Sequence, residues 1–273
     1  MAVHPRTILI AFLGLCLCGV AGGQAIEGDA RSGALAGAST ALIDDRFTES
    51  NFVVAGGARR PHLTLFAGQS YGLSELRIGR IQYVQPLPGV AIVIEGVTFG
   101  YDMYRESSFV IGVAREFRVL GPRSLYLGAA ARYLRVAAHG YGADAATGLS
   151  VGMLVSLTPE LHLGFHAANM NSPSGSAGQT LAHALSVGFQ YQPDDRARLV
   201  VDATKDVRFP VSIRAGVELR LAEPFFIRAG FATKPSRMAG GFGVRLGSTS
   251  ADIALQRHNP LGWSQAASLS IGW

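Results

Sequence analysis

From Pro61 onward, apolar residues occupy every second position in about fourteen short stretches, a period that belongs to β-strands with two unlike faces. In the final stretch Ala267, Leu269, Ile271 and Trp273 share one face, and Ser268, Ser270 and Gly272 share the other. Val211, Ile213, Ala215, Val217 and Leu219 alternate in the same way with Ser212, Arg214, Gly216, Glu218 and Arg220. That length suits a tilted membrane strand, which needs roughly 9–11 residues. Comparable alternation runs through Leu149 to Leu157, Leu185 to Tyr191 and Ala251 to Leu255. The pattern predicts an all-β fold: a transmembrane antiparallel β-barrel of about 14 strands, one face toward lipid and the other toward the lumen.

The connections are expected to alternate in length. Gln85 to Gly89, Leu120 to Pro122, Thr158 to Glu160, Pro193 to Asp195, Ala222 to Pro224 and Gly247-Ser248 are rich in turn-formers. Between them fall longer polar or glycine-rich connections near Tyr101 to Glu106, His139 to Ala145, Asn169 to Leu181, Lys205 to Phe209, Lys234 to Arg237 and Arg257 to Trp263. A soluble β-sandwich also has alternating strands, but nothing in it sorts short and long connections to opposite ends.

The start of the chain adds an address. His4, Pro5 and Arg6 precede an apolar run from Ile8 to Val20, then small residues, as in a secretory signal peptide over residues 1–23. Cys16 and Cys18 fall within it, so the mature chain is expected to hold no disulfide or thiolate metal site. The formal charge of +5 comes from 24 basic and 19 acidic residues, scattered rather than gathered on a face, which argues against nucleic acid as a partner. Residues 24–60 carry small residues without a period-2 pattern and are expected to be an N-terminal plug in the lumen of the barrel at 61–273.

Within that arm, Asp29-Ala30-Arg31, Gly37-Ala38, the pair Asp44-Asp45, and Asn51 follow an order that resembles the PorV/PorQ-type outer-membrane proteins and, more distantly, the FadL-type transporters of hydrophobic compounds. Phe52-Val53 stands where Pro-Ala is usual in that family. Phe99 to Glu106, with Tyr101, Tyr104, Arg105 and Glu106 as a candidate outer loop, and Leu255 to Trp263 carry the resemblance further. It implies a fourteen-strand barrel with an N-terminal hatch in the bacterial outer membrane. The function implied is a non-enzymatic one, as a partner in protein export or surface attachment, with a secretion system or exported proteins as partners. The second function it implies is a FadL-like passive conduit for hydrophobic small molecules.

Candidate chemistry is sparse. Gly148-Leu149-Ser150-Val151-Gly152 matches a nucleophile-elbow pattern, but no helix follows, and Leu185-Ser186-Val187-Gly188 repeats the phrase elsewhere. His162 and His166 share a face, yet four strand residues separate them by about 13 Å, too far for one metal ion. No catalytic residue, metal site or cofactor is expected. Projecting the alternation inward collects the lumenal charges Arg80, Glu95, Arg132, Asp202, Arg214, Glu218, Arg228, Arg245 and Asp252. Such charges either pair, with one another or with Asp29, Arg31, Asp44 and Asp45 of the arm, to hold the plug, or form a polar constriction that selects a permeant, and the sequence does not choose between the two. The remaining expected partners are outer-membrane lipid and the barrel-assembly machinery, for which Trp273 is a candidate insertion signal.

Overall fold

Alternating side chains can satisfy lipid on one face and a polar interior on the other only if every backbone group pairs with a neighbouring strand and no edge is left. The computed structural model, which describes residues 28–43, 49–119, 123–171, 183–207, 209–259 and 261–273, closes in this way. Its strands are β1 (His62–Gln69), β2 (Arg77–Leu87), β3 (Val90–Tyr101), β4 (Tyr104–Arg118), β5 (Ser124–Ala138), β6 (Gly142–Ser156) and β7 (Leu161–Ala168). They continue as β8 (Ala184–Tyr191), β9 (Ala197–Asp206), β10 (Ser212–Ala222), β11 (Phe225–Thr233), β12 (Ser236–Leu246), β13 (Thr249–His258) and β14 (Gly262–Gly272). Each pairs antiparallel with its neighbours in sequence, and β1 pairs with β14 in the register His62 to Gly272 and Gln69 to Gln265, so the sheet is a closed 14-strand barrel.

The pleat sorts the faces as the alternation requires. In β14, Ser264, Ser268 and Ser270 are buried while Trp263, Leu269 and Ile271 are exposed to the outside. In β10, Glu218 is buried and Leu219 is exposed. The signal-peptide region at 1–23 and the arm's Asp44 and Asp45 lie outside the described residues.

The connections correct the expected alternation of length. β3 ends at Tyr101 and β4 begins at Tyr104, so Tyr101, Tyr104, Arg105 and Glu106 are strand residues and only Asp102 and Met103 form the turn. The connection between β5 and β6 is likewise only His139, Gly140 and Tyr141. β4, β5 and β6 have 15 residues each, more than a crossing needs, and carry the sheet past the hydrocarbon. The longest connection joins β7 to β8, at the end opposite the start of β1 and the close of β14. Longer loops mark the outer end of such barrels, which puts the start of β1 and the close of β14 on the periplasmic side.

Before β1 the chain forms a short helix α1 (Ala30–Ala34) and a run of 3₁₀ turns at Glu49–Gly57. Both pack against the strands, the helix against β11 to β14 and the 3₁₀ turns against β2 to β7. Ala30, Ala34 and Ala254 share one packed cluster with Phe66 and Ile78, and Leu35, Ala38 and Leu42 share another with Val200. The third joins Phe52 to Ala55 with Val84, Val93, Ala130 and Leu154.

Candidate lumenal site

The inner segment is held by its own backbone polar groups as much as by charge. Asp29 caps α1, its carboxylate oxygen accepting from the Ser32 amide at 2.7 Å. Past the helix the chain makes only scattered turn bonds of its own, so other backbone groups are satisfied by inward side chains. Gln256 donates to the Gly33 carbonyl at 2.8 Å and Arg237 to that of Ala36 at 2.9 Å. The amides of Ser39 and Thr40 both donate to one carboxylate oxygen of Asp202 at 2.8 Å, and the Ile43 amide donates to Gln190. Asn51, fully buried, donates through Nδ2 to the Thr40 carbonyl at 2.9 Å and to the Met153 carbonyl of β6 at 3.2 Å.

The strongest charges meet at Glu218. Arg31 approaches it with two parallel bonds, Nε to Oε2 and Nη2 to Oε1, both 2.7 Å. Arg228 Nε binds the same carboxylate at 2.6 Å and Arg198 Nη1 at 3.0 Å, while Arg228 Nη1 reaches Asp252 at 2.8 Å. Three guanidiniums thus face two carboxylates, and the third cation comes from the segment. The other projected charges are also buried or half-buried: Arg80 pairs with Glu95 at 3.8 Å and donates to the Gly28 carbonyl, and Arg214 donates to the Gly37 carbonyl. Arg245 lies over the Phe226 ring at 5.1 Å, and Arg132 lines a lumenal cavity.

A feature absent from the candidate residues is a track of inward glycines. Gly112, Gly128, Gly152, Gly164, Gly188, Gly216 and Gly230 occupy inward positions on β4 to β8, β10 and β11, and the segment runs over them. A methyl at Gly188 would lie 2.7 Å from Thr40 Cβ, one at Gly216 2.8 Å from Leu35 Cδ2, and one at Gly164 would strike the Thr40 carbonyl. Gly164→Ala should therefore cost about 1–3 kcal/mol, as overpacking does. Gly96→Ala, whose methyl would have only Ile81 Cγ2 at 3.5 Å, should be near neutral. Urea unfolding of the refolded protein checks the contrast, and equal effects would show that the segment yields freely.

On the outer side of Phe52 a cavity of about 60 Å³ remains between β3 and β7. Phe52, Val93, Val110 and Ala130 form its apolar wall, and Glu95, Arg132 and His166 add polar groups. His166 meets the Phe52 ring edge-on, centroids 6.0 Å apart, while His162 bonds Ser156 at 2.9 Å. Ser150, in β6, accepts from the Asn169 amide at 3.2 Å. Among the described residues no group of His, Cys, Asp and Glu is placed to hold a metal ion. Tyr104 donates to Glu106 at 2.6 Å, Arg105 pairs with Asp102 at 3.1 Å, and the exposed Trp273 stacks on Tyr83 at 6.2 Å.

No family model and no curated protein matches the sequence. Among solved structures the chain is similar to the CymD monoaromatic hydrocarbon channel, with a TM-score of 0.63 at 11% identity over 91% of this chain and 98% of that one. A Pseudomonas aeruginosa FadL homologue gives 0.61 at 12% identity over 92% and 99%. The Acinetobacter baumannii outer membrane protein Omp33 gives 0.55 at 7% identity over 78% and 98%. At these identities the likeness is one of fold, and it is the fold of bacterial outer-membrane barrels.

Proposed function

We propose that this barrel is a FadL-like passive conduit for small hydrophobic compounds across the outer membrane, with the N-terminal segment as its plug. The observation that carries this reading is the likeness in fold to a monoaromatic hydrocarbon channel and to a FadL homologue, each over more than nine-tenths of this chain. Nothing in the comparisons favours the export or surface-attachment role that a PorV/PorQ resemblance implies, and with no family model matching, the transport alternative is the better supported.

The lumenal cavity supports a substrate path that requires the plug to move. Its 60 Å³ is well below the roughly 150 Å³ of an apolar protein cavity that accepts benzene. Phe52 lines that cavity and belongs to the arm, so displacing it enlarges the cavity. Uptake of radiolabelled toluene by bacterial cells with an intact glycolipid outer leaflet tests the reading: cells producing the protein should take it up faster than cells without it, and Phe52→Ala should accelerate uptake further. Uptake at the rate of cells lacking the protein would reject transport of this substrate class.

A further inference from the structure

The outside of the barrel carries a surface that plain alternation does not require. On the face formed by β12, β13, β14, β1 and β2, two grooves of about 560 and 510 Å³ run on either side of a ridge made by Ile253 and Leu255. They exist because outward positions beside the ridge hold small residues: Gly240 in one groove, Ala67 and Ala267 in the other. Elsewhere the lipid face is filled by large side chains such as Phe109, Ile111, Leu149 and Val187.

The register places a polar row across this surface. Arg77 pairs with Gln69 and Gln69 with Gln265, so three neighbouring strands contribute polar side chains in direct register, and Gln265 pairs with Leu255 and Leu255 with Gly240 beside them. Gln265 Nε2 lies 3.4 Å from Gln69 Oε1, and among the described residues the other half of each amide has no hydrogen bond. An amide at the edge of hydrocarbon calls for a hydrogen-bonding partner there. Just above, Arg257 lies 5.8 Å from the Trp263 ring, and both are exposed. Among the described residues neither Arg77 nor Arg257 is in an ion pair. The row sits toward the end opposite the chain termini, which is the outer-leaflet side.

We propose that this face is a binding site for one molecule of the phosphorylated, multiply acylated glycolipid of the outer leaflet. Two acyl chains lie in the grooves astride the Ile253–Leu255 ridge, phosphates meet Arg77 and Arg257, and the amide linkages or hydroxyls of the chains meet Gln69 and Gln265. Guanidinium and phosphate make charge-assisted bonds that a neutral headgroup cannot replace. The paired glutamines favour an amide-linked, hydroxylated chain over the plain esters of a glycerophospholipid. The site lies outside the barrel and does not depend on what passes through the lumen.

The test is native mass spectrometry of the full-length mature protein in detergent, titrated with bisphosphorylated lipid A and, separately, with phosphatidylglycerol. Wild-type protein should bind one lipid A, and Arg77→Gln with Arg257→Gln should weaken it by about tenfold or more. Gly240→Leu fills one groove from outside, and its added carbon meets only the Arg228 carbonyl at 3.6 Å, so this variant should fold normally and still lose lipid A. Heat-dependent gel migration confirms folding of each variant. Binding of phosphatidylglycerol as tight as that of lipid A, binding unchanged in Gly240→Leu, or no lipid A bound at all would each overturn the proposal.

Discussion

Glu218→Ala should destabilise the folded barrel by about 3–5 kcal/mol, the range for removing one partner of a buried ion pair. The reason is the asymmetry of the cluster. Glu218 is the shared acceptor of Arg31, Arg198 and Arg228, and without it three neighbouring guanidiniums lose their common carboxylate, while Asp252 contacts Arg228. Arg31→Met should cost much less, because Glu218 keeps two cations. The two changes should therefore not add: in the Glu218→Ala background, Arg31→Met should restore stability, since it removes one of the mutually repelling charges. Urea unfolding of the four combinations in one detergent measures this. Additive losses would mean that Arg31 and Glu218 do not act on each other.

The barrel was legible because lipid imposes a strict rule on one face of each strand, and residues such as Leu269 and Ile271 obey it next to Ser268 and Ser270. Connection lengths were not legible, for a related reason. Where β3 and β4 rise beyond the hydrocarbon, Tyr101 to Glu106 are polar on both faces, so the strand loses its alternation while its backbone pairing continues through Tyr101 and Tyr104. A two-residue turn then reads as a long loop. The inward charges could be collected by parity, but parity holds no information on pairing. That one carboxylate at Glu218 gathers three arginines follows from the path of the segment across the lumen, which no period in residues 24–60 encodes.

The glycines were visible under another description. Gly152 closes the phrase that mimics a nucleophile elbow, and Gly188 closes its repeat in β8. The phrases recur because inward positions on adjacent strands meet the same segment: Gly152 faces Val53 and Gly188 faces Thr40. Glycine facing the lumen at one level on strand after strand is thus a sequence sign of a chain packed against the inner wall, and Asp202 takes over on β9, where it accepts from two successive amides.

Deleting residues 28–57 should turn a barrel that passes few ions into one with large, steady conductance. A barrel of this strand number encloses more space than its side chains fill, and along the glycine track the inward side chains are missing altogether. In the intact chain that space is taken by Leu35, Ala38, Leu42 and Val53, all fully buried. Removal also frees Asp202, Gln256, Arg237 and Gln190 from the backbone groups they now bind, leaving polar side chains to line a water-filled passage. Planar-bilayer recordings of both proteins decide the matter, with heat-dependent gel migration confirming that the shortened chain has folded. If the shortened chain does not fold, Gly164→Ala provides the second arm of the test, because it pushes on the Thr40 carbonyl without removing the segment and should raise the frequency of brief openings. An intact protein that already conducts like an open pore, or a folded deletion that gains nothing, would remove the plug from the proposed function and leave the segment as packing alone.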